Sequence, residues 1–211
     1  MTETRAAVLK EYVAEGGILI LGCRSGYKDL DGHCVMQDLP GLLHPLSGAD
    51  IPEFTRTCPG DSPVRIRWGE KSFEAPVFND ILQPLAEDEE PAETLGIYEN
   101  CYYAGKGALL CHRYGKGMVY SLGTVFTEEL AAAFLEETNV AEPERETLEL
   151  PESCELSIRE KNGSKYYFVL NYSGNPVTVG VKSPLFSLFD SVPVGREMVL
   201  EPFGTAVLKK G

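Results

Sequence analysis

Apolar positions first recur at helical spacing between Ala6 and Val13. Ala6, Val8, Leu9, Tyr12 and Val13 share one face of a predicted helix that Thr2 or Thr4 caps and Gly16-Gly17 ends. A continuous apolar run, Ile18-Leu19-Ile20-Leu21, comes directly after it and predicts a short buried strand. Helix, Gly-Gly and strand make half of an α/β unit, so the chain opens in an alternating pattern. Glycine and proline then punctuate residues 23 to 62, which predicts loops and one short helix around Leu39 to Leu46. Alternation returns at Val64-Arg65-Ile66-Arg67-Trp68, with Glu74-Ala75-Pro76-Val77-Phe78 as its expected partner strand. The acidic run from Glu87 to Glu93 reads as a solvated turn or linker.

The next stretch is the clearest. Ala108-Leu109-Leu110-Cys111-His112-Arg113 and Met118-Val119-Tyr120-Ser121-Leu122-Gly123 predict two strands joined by a turn at Tyr114-Gly115-Lys116-Gly117. Thr127 caps a predicted helix to about Glu137, and Glu128 and Glu129 fall in its first turn, where the macrodipole favours them. The pattern changes near residue 140. Ala141 to Glu146 reads as a linker, and from residue 147 onward only strand periodicity remains. Cys154 to Arg159 alternates, Asn162-Gly163 is a strong hairpin signal, and Tyr166 to Asn171 is the return strand. Further strands are expected at Val177 to Val181, Glu197 to Leu200 and Thr205 to Leu208. The expected division is an α/β domain over 1–146 and a small antiparallel β domain over 147–211.

Composition narrows the function classes. Apolar residues make up 43% of the 211 and charged residues 24%, which is ordinary for a globular chain. Acidic residues outnumber basic ones 32 to 19, a net charge of -13 that argues against general nucleic-acid binding. No apolar run is long enough to span a bilayer, and Met1 to Arg5 does not open a signal peptide. Neither a membrane nor a nucleic-acid partner is therefore expected. The six cysteines (Cys23, Cys34, Cys58, Cys101, Cys111 and Cys154) form no CxxC pair and read as reduced thiols of a cytoplasmic protein. In an unexported chain the sequons at Asn162 and Asn171 carry no glycan.

Candidate chemistry is sparse. Cys23 leaves a buried strand among glycines, as a nucleophile elbow would, and His112 or His33 is its candidate base. The segment after it, Tyr27 to Gly32, reads as a loop rather than the helix an elbow needs. The bland alternative is a thiol in a loop. His33 and Cys34 are adjacent and diverge, so no metal site is assigned. Gly105-Lys106-Gly107 and Gly115-Lys116-Gly117 match no phosphate-binding fingerprint and read as turns. Glu70, Glu74, Asp80 and Glu99 lie near strand or aromatic positions, with nothing marking two of them as a glycosidase pair. Tyr98, Tyr102 and Tyr103 would pack a sheet face or an interface, or stack on a sugar. No catalytic, cofactor-binding or metal-ligating residue is assigned, and no cofactor is expected.

Several segments carry a family resemblance in their order. These are Leu9 to Leu21, Arg24-Ser25-Gly26-Tyr27-Lys28-Asp29, Leu39-Pro40-Gly41-Leu42-Leu43, Tyr102-Tyr103-Ala104-Gly105-Lys106 and Arg113 to Tyr120. The series resembles the C-terminal half of glycoside hydrolase family 42 β-galactosidases. The resemblance implies a (β/α)8 barrel, then an α/β trimerisation domain of amidotransferase-like or flavodoxin-like topology, then a small β domain. It implies two barrel glutamates acting as acid/base and nucleophile in a retaining mechanism. This chain has no barrel, so neither glutamate maps onto it, and it would open inside the trimerisation domain. The expected fold is thus a partial amidotransferase-like three-layer α/β domain followed by a small antiparallel β domain. The expected role is non-catalytic assembly into a homotrimer around the parent's barrels. The alternatives are an amidotransferase-like cysteine enzyme using Cys23 and a carbohydrate-binding module.

Overall fold

The computed structural model describes residues 1–58, 60–86, 90–140 and 145–210. They divide into two compact units, Met1–Phe134 and Leu135–Gly211.

The first unit opens with α1 (Glu3–Ala14), capped by Thr2, whose hydroxyl accepts the Arg5 N–H at 3.3 Å. Ala6 and Val13 are buried, but Val8 and Tyr12 of the expected apolar face are exposed. Tyr12 instead lies over Gly17, where a Cβ would sit 2.4 Å from its ring. After α1 comes β1 (Ile18–Leu21). The predicted short helix is a 3-10 turn at Gly41–Leu43 followed by α2 (His44–Ser47).

Strands β2 (Ala49–Arg56), β3 (Arg65–Trp68), β4 (Lys71–Glu74), β5 (Phe78–Pro84), β6 (Glu93–Tyr98), β7 (Gly107–Tyr114) and β8 (Gly117–Leu122) complete a mixed sheet with β1. Its path is β1-β8-β7-β6-β3-β4, with β5 joining β7 and β2 joining β5. Among the described strands only the β1–β8 pair is parallel. The partner of β3 is β4, in the register Arg65↔Glu74 to Trp68↔Lys71, so the expected partner at 74–78 is corrected. Residues 75–77 instead link β4 to β5. Strand β2 falls in the stretch expected to be loop. Pro52 obscured it, yet the strand tolerates Pro52 because β2 pairs with β5 alone and the register shifts between Asp50 and Glu53. Residues 87–89 of the acidic run lie outside the described residues, and Glu93 opens β6 rather than ending a linker.

Alternation in β1 and β8 sends side chains to two cores. Leu19, Leu21 and Val119 pack with Ala6, Val13, Leu43 and Leu46. Ile18, Ile20, Tyr120 and Leu122 pack with Leu130, Ala133 and Phe134 of α3 (Glu128–Thr138). The Thr127 hydroxyl accepts the Leu130 N–H at 3.2 Å, as expected of a cap.

In the second unit the sheets are antiparallel. One runs β10-β11-β16-β13-β14 and the other β15-β12-β9. The strands are β9 (Leu148–Glu149), β10 (Cys154–Lys161), β11 (Ser164–Asn171), β12 (Val177–Val181), β13 (Leu185–Ser187), β14 (Val192–Pro193), β15 (Glu197–Leu200) and β16 (Thr205–Lys210). Asn162 and Gly163 both take positive φ, 53° and 72°, as a two-residue hairpin between β10 and β11 demands. Leu148, Tyr167, Val169, Val179, Leu185 and Leu208 form the core. Strands β9, β13 and β14 are too short for a periodic signal and were not expected from the pattern. Residues 141–144 of the expected linker lie outside the described residues.

Candidate functional site

Strand β5 places alternate side chains on opposite faces of the sheet. Asn79 points one way and donates to the Tyr103 hydroxyl at 2.9 Å. Asp80 points the other way and is 1% exposed. Its two carboxylate oxygens are each engaged: Oδ2 accepts the Arg24 backbone N–H at 2.9 Å, and Oδ1 accepts the Tyr27 hydroxyl at 2.8 Å. Its main chain is held as firmly. The Asp80 N–H donates to Gly123 O at 2.6 Å, and the Tyr98 hydroxyl reaches Asp80 O at 2.9 Å and Gly123 O at 3.0 Å. Burial raises the Asp80 carboxyl above the usual carboxylate range, opposed by the Arg24 N–H, the Tyr27 hydroxyl and the Arg24 charge. Burial likewise raises the Tyr27 phenol, and the Asp80 charge adds to it. A cavity of about 20 Å³, the size of one water, lies beside Asp80 against Leu21, Ser25, Ile51 and Ser121. The buried Ser121 hydroxyl has no hydrogen-bond partner among the described residues.

Above this anchor the surface is aromatic and cationic. Arg24 adopts a left-handed conformation at φ 63°, unusual for arginine. Its guanidinium lies 4.2 Å from the Phe78 ring centre, 5.0 Å from Tyr27 and 5.8 Å from Phe54. Phe54 and Phe78 stack at 5.5 Å and 21°. The register Phe54↔Asp80 and Arg56↔Phe78 puts all four side chains on one face of the β2–β5 pair. Next to them, Val77 stands at φ 68° inside a three-residue turn closed by the Phe78 N–H on Pro76 O at 2.8 Å. A β-branched residue in that region costs on the order of 1–3 kcal/mol, yet the turn leaves Val77 55% exposed.

The other candidates separate from this centre. Cys23 is next to it, but its thiol is pushed up to about 11, first by burial and then by the Asp80 charge. A nucleophile needs the opposite shift, and the chain after Cys23 turns through Arg24 and Gly26 instead of starting a helix. Both observations weigh against the cysteine-enzyme reading. Iodoacetamide near neutral pH is expected to label Cys23 more slowly than the exposed Cys34 and Cys58, read by peptide mass spectrometry; fastest labelling at Cys23 would restore the nucleophile. His112 is buried on β7, with its Nδ1–H on Leu46 O at 3.0 Å. His33 is exposed, 3.6 Å from Asp29. Asp29, Asp31 and His33 gather their ligand atoms within 4.8 Å, but all three are exposed. Asp29 Oδ1 already accepts the Asp31 and His33 N–H groups at 3.0 and 2.8 Å.

Glu99 pairs with Arg67 at 3.5 Å and accepts the Ser72 hydroxyl at 2.7 Å. Tyr98 and Tyr103 pack edge to face in the core, while Tyr102 is exposed and donates to Glu53. Gly115-Lys116 is the β7–β8 turn, with Tyr114 paired to Gly117. The six cysteines are free thiols. Among the described residues no helix is long and apolar enough to cross a membrane. Sequence reasoning named Asp80 without its partners, which lie more than 50 positions away. No local pattern signals a contact of that kind.

Comparison with known proteins matches two regions of the chain. Residues 1–142 match the family model of the beta-galactosidase trimerisation domain, and residues 154–210 that of the beta-galactosidase C-terminal domain. Beta-galactosidase BgaA of Clostridium cellulovorans is 29% identical over 205 residues, covering 95% of this chain and 30% of its own length. Beta-galactosidase Pbg of Clostridium perfringens is 25% identical, covering 96% and 30%. Among solved structures, Gan42B, a GH42 beta-galactosidase from G. stearothermophilus, superposes with a TM-score of 0.78 at 22% identity, covering 100% of this chain and 30% of that one. The beta-galactosidase of Bacillus circulans sp. alkalophilus gives 0.76 at 22% identity, covering 98% and 31%. The chain spans about 30% of the length of the relatives it matches. Through both of its matched regions the chain belongs to the GH42 β-galactosidase family, as the part that comprises the trimerisation and C-terminal domains.

Proposed function

We propose that this chain is the assembly and C-terminal portion of a cytoplasmic β-galactosidase, that its first unit holds copies in a homotrimer, and that it carries no galactosidase chemistry of its own. The observation that carries the reading is the trimerisation-domain match over residues 1–142. The exposed aromatic and arginine face of that region supports it, since assembly surfaces favour such residues. Hydrolysis of terminal β-D-galactosides with retention would belong to the parent enzyme, through a barrel outside these residues. The β1–β8 parallel pair, with α1 on one side and α3 on the other, supports a partial amidotransferase-like (flavodoxin-like) three-layer topology. Division into domains 1–146 and 147–211 fits the change from mixed to wholly antiparallel pairing.

Two measurements on the purified chain test this. Light scattering is expected to give the mass of three chains. A chromogenic β-galactoside is expected to show no turnover that survives repurification. Turnover that co-purifies with the chain would overturn the non-catalytic assignment, and a monomeric mass would overturn the assembly.

A further inference from the structure

The face built by Arg24, Phe54 and Phe78 packs its inner side on Tyr27 and leaves its outer side open. Arg24 is exposed, Phe54 is 51% exposed, and the stacked rings share one face of the β2–β5 pair, in which β2 has no second partner strand among the described residues. Yet the fold commits a buried carboxylate to it. Asp80 holds the Arg24 N–H and so fixes the left-handed backbone that lays the guanidinium on the rings. The strained turn at Val77, next to Phe78 in the chain, exposes a further apolar side chain. Arginine and aromatic side chains locked in place with a polar anchor beneath are the composition of an interface centre.

We propose that Arg24, Phe54 and Phe78 are the centre of the contact by which one copy of this chain docks on a second, and that they receive a carboxylate-bearing surface of that second copy. The inference rests on the proposed assembly role and gives it a location and a geometry. Charge supplies the argument for the occupant. The chain carries 32 acidic residues against 19 basic, so a second copy offers an excess of carboxylates. The face itself is cationic: Arg24 and Arg56 lie on it, and the carboxylate beneath them is buried and engaged. Unlike charges meeting across a contact steer and orient it. Charge also narrows the symmetry. A two-fold axis through the face would lay Arg24 of one copy against Arg24 of the other, which like-charge repulsion opposes. The face instead meets a different, carboxylate-bearing patch of the next copy. Arranged head to tail, such contacts close into rings, of which a trimer is the smallest.

The test uses the 211-residue chain in sedimentation velocity over a range of protein and salt concentrations. The variants are Arg24→Glu, Arg24→Ala and Phe54→Glu, with the exposed Phe203→Glu of the second unit as control. Glutamate and alanine at 24 both keep the N–H that Asp80 binds, so the Arg24 variants are expected to retain the native circular dichroism. Wild type and Phe203→Glu are expected to assemble alike, with assembly weakening as salt rises. Arg24→Glu is expected to lower the association constant at least tenfold, and Arg24→Ala and Phe54→Glu by less. If folded Arg24 and Phe54 variants assemble as wild type does, the face is not the contact, and the assembly reading stands without it. If wild type is a monomer throughout, both fail.

Discussion

Replacing Asp80 by alanine is expected to lower the stability of the first unit by about 2–4 kcal/mol, because a buried and a half-buried donor lose their acceptor at once. The Arg24 N–H and the Tyr27 hydroxyl are the donors, and the side chain between them is almost wholly buried. Asp80→Asn is expected to cost less. Its one oxygen keeps one donor, and the Tyr27 hydroxyl can rotate to accept from the new amide. Tyr27→Phe, which removes a donor and leaves the carboxylate with one partner, is expected to cost about 1–2 kcal/mol. Urea denaturation followed by circular dichroism would measure all three. A loss below about 1 kcal/mol for alanine would mean that water reaches the site and replaces the carboxylate.

The same residue sets a pH dependence. Its carboxyl is raised in the folded chain above the ~3.9 of an unfolded aspartate, chiefly by burial. Between those two values the native state holds more protons than the unfolded state, so stability falls as pH rises. The contribution is fully present below about pH 4 and is lost as pH climbs through the folded value. Asparagine has no such titration. The stability advantage of wild type over Asp80→Asn is therefore expected to shrink from about pH 4 upward. A constant difference across that range would show that Asp80 keeps an ordinary carboxyl.

Gly117→Ala is expected to destabilise the first unit by about 3 kcal/mol or more. A Cβ at Gly117 would sit 2.2 Å from Gly17 O and 2.3 Å from Val13 O. Both are backbone atoms, so no side chain can swing aside. The relief available is to lift the hairpin away from the end of α1. That would break the Lys116 N–H on Ala14 O at 3.1 Å and the Met118 N–H on Gly17 O at 3.2 Å, which start the parallel pairing of β1 with β8. Gly105 is the contrast, since a Cβ there meets nothing within 4 Å. Gly105→Ala costs only the strain of its φ of 84°. Chemical denaturation of the two variants should separate them clearly. Equal losses would mean that the α1–hairpin junction is looser than its distances imply.

Legibility from sequence tracks physical range. The β7–β8 turn, the Thr127 cap and the Asn162-Gly163 hairpin are decided by residues within a few positions of each other, and all three are present. Strand β2 was hidden because Pro52 argues against a strand unless only one side is paired, and pairing is a tertiary fact. Strand β4 was displaced because Glu74 to Phe78 has the composition of a strand, while the Val77 turn breaks it. On α1, helical spacing marked Val8 and Tyr12 as inward, but the junction with Gly17 draws Tyr12 outward over the main chain. The anchor of the candidate site was unreadable for a stronger reason. Asp80 was one carboxylate among 32 acidic residues, and its partners lie in a segment whose glycines signalled loop.

The parallel pair of β1 and β8 has a consequence for how the chain is made. Ile18 leaves the ribosome about a hundred residues before Met118, the residue it pairs with. At synthesis rates of about 5–20 residues per second, the apolar segment Ile18–Leu21 waits about 5–20 s for the strand it pairs with. During that interval α1 has only a fragment of its core to pack on, since Val119 arrives with β8. The nascent chain is thus committed to holding an unpaired hydrophobic strand through most of the first unit's translation. Slowing translation before residue 118 should lower the soluble yield more than slowing it afterwards.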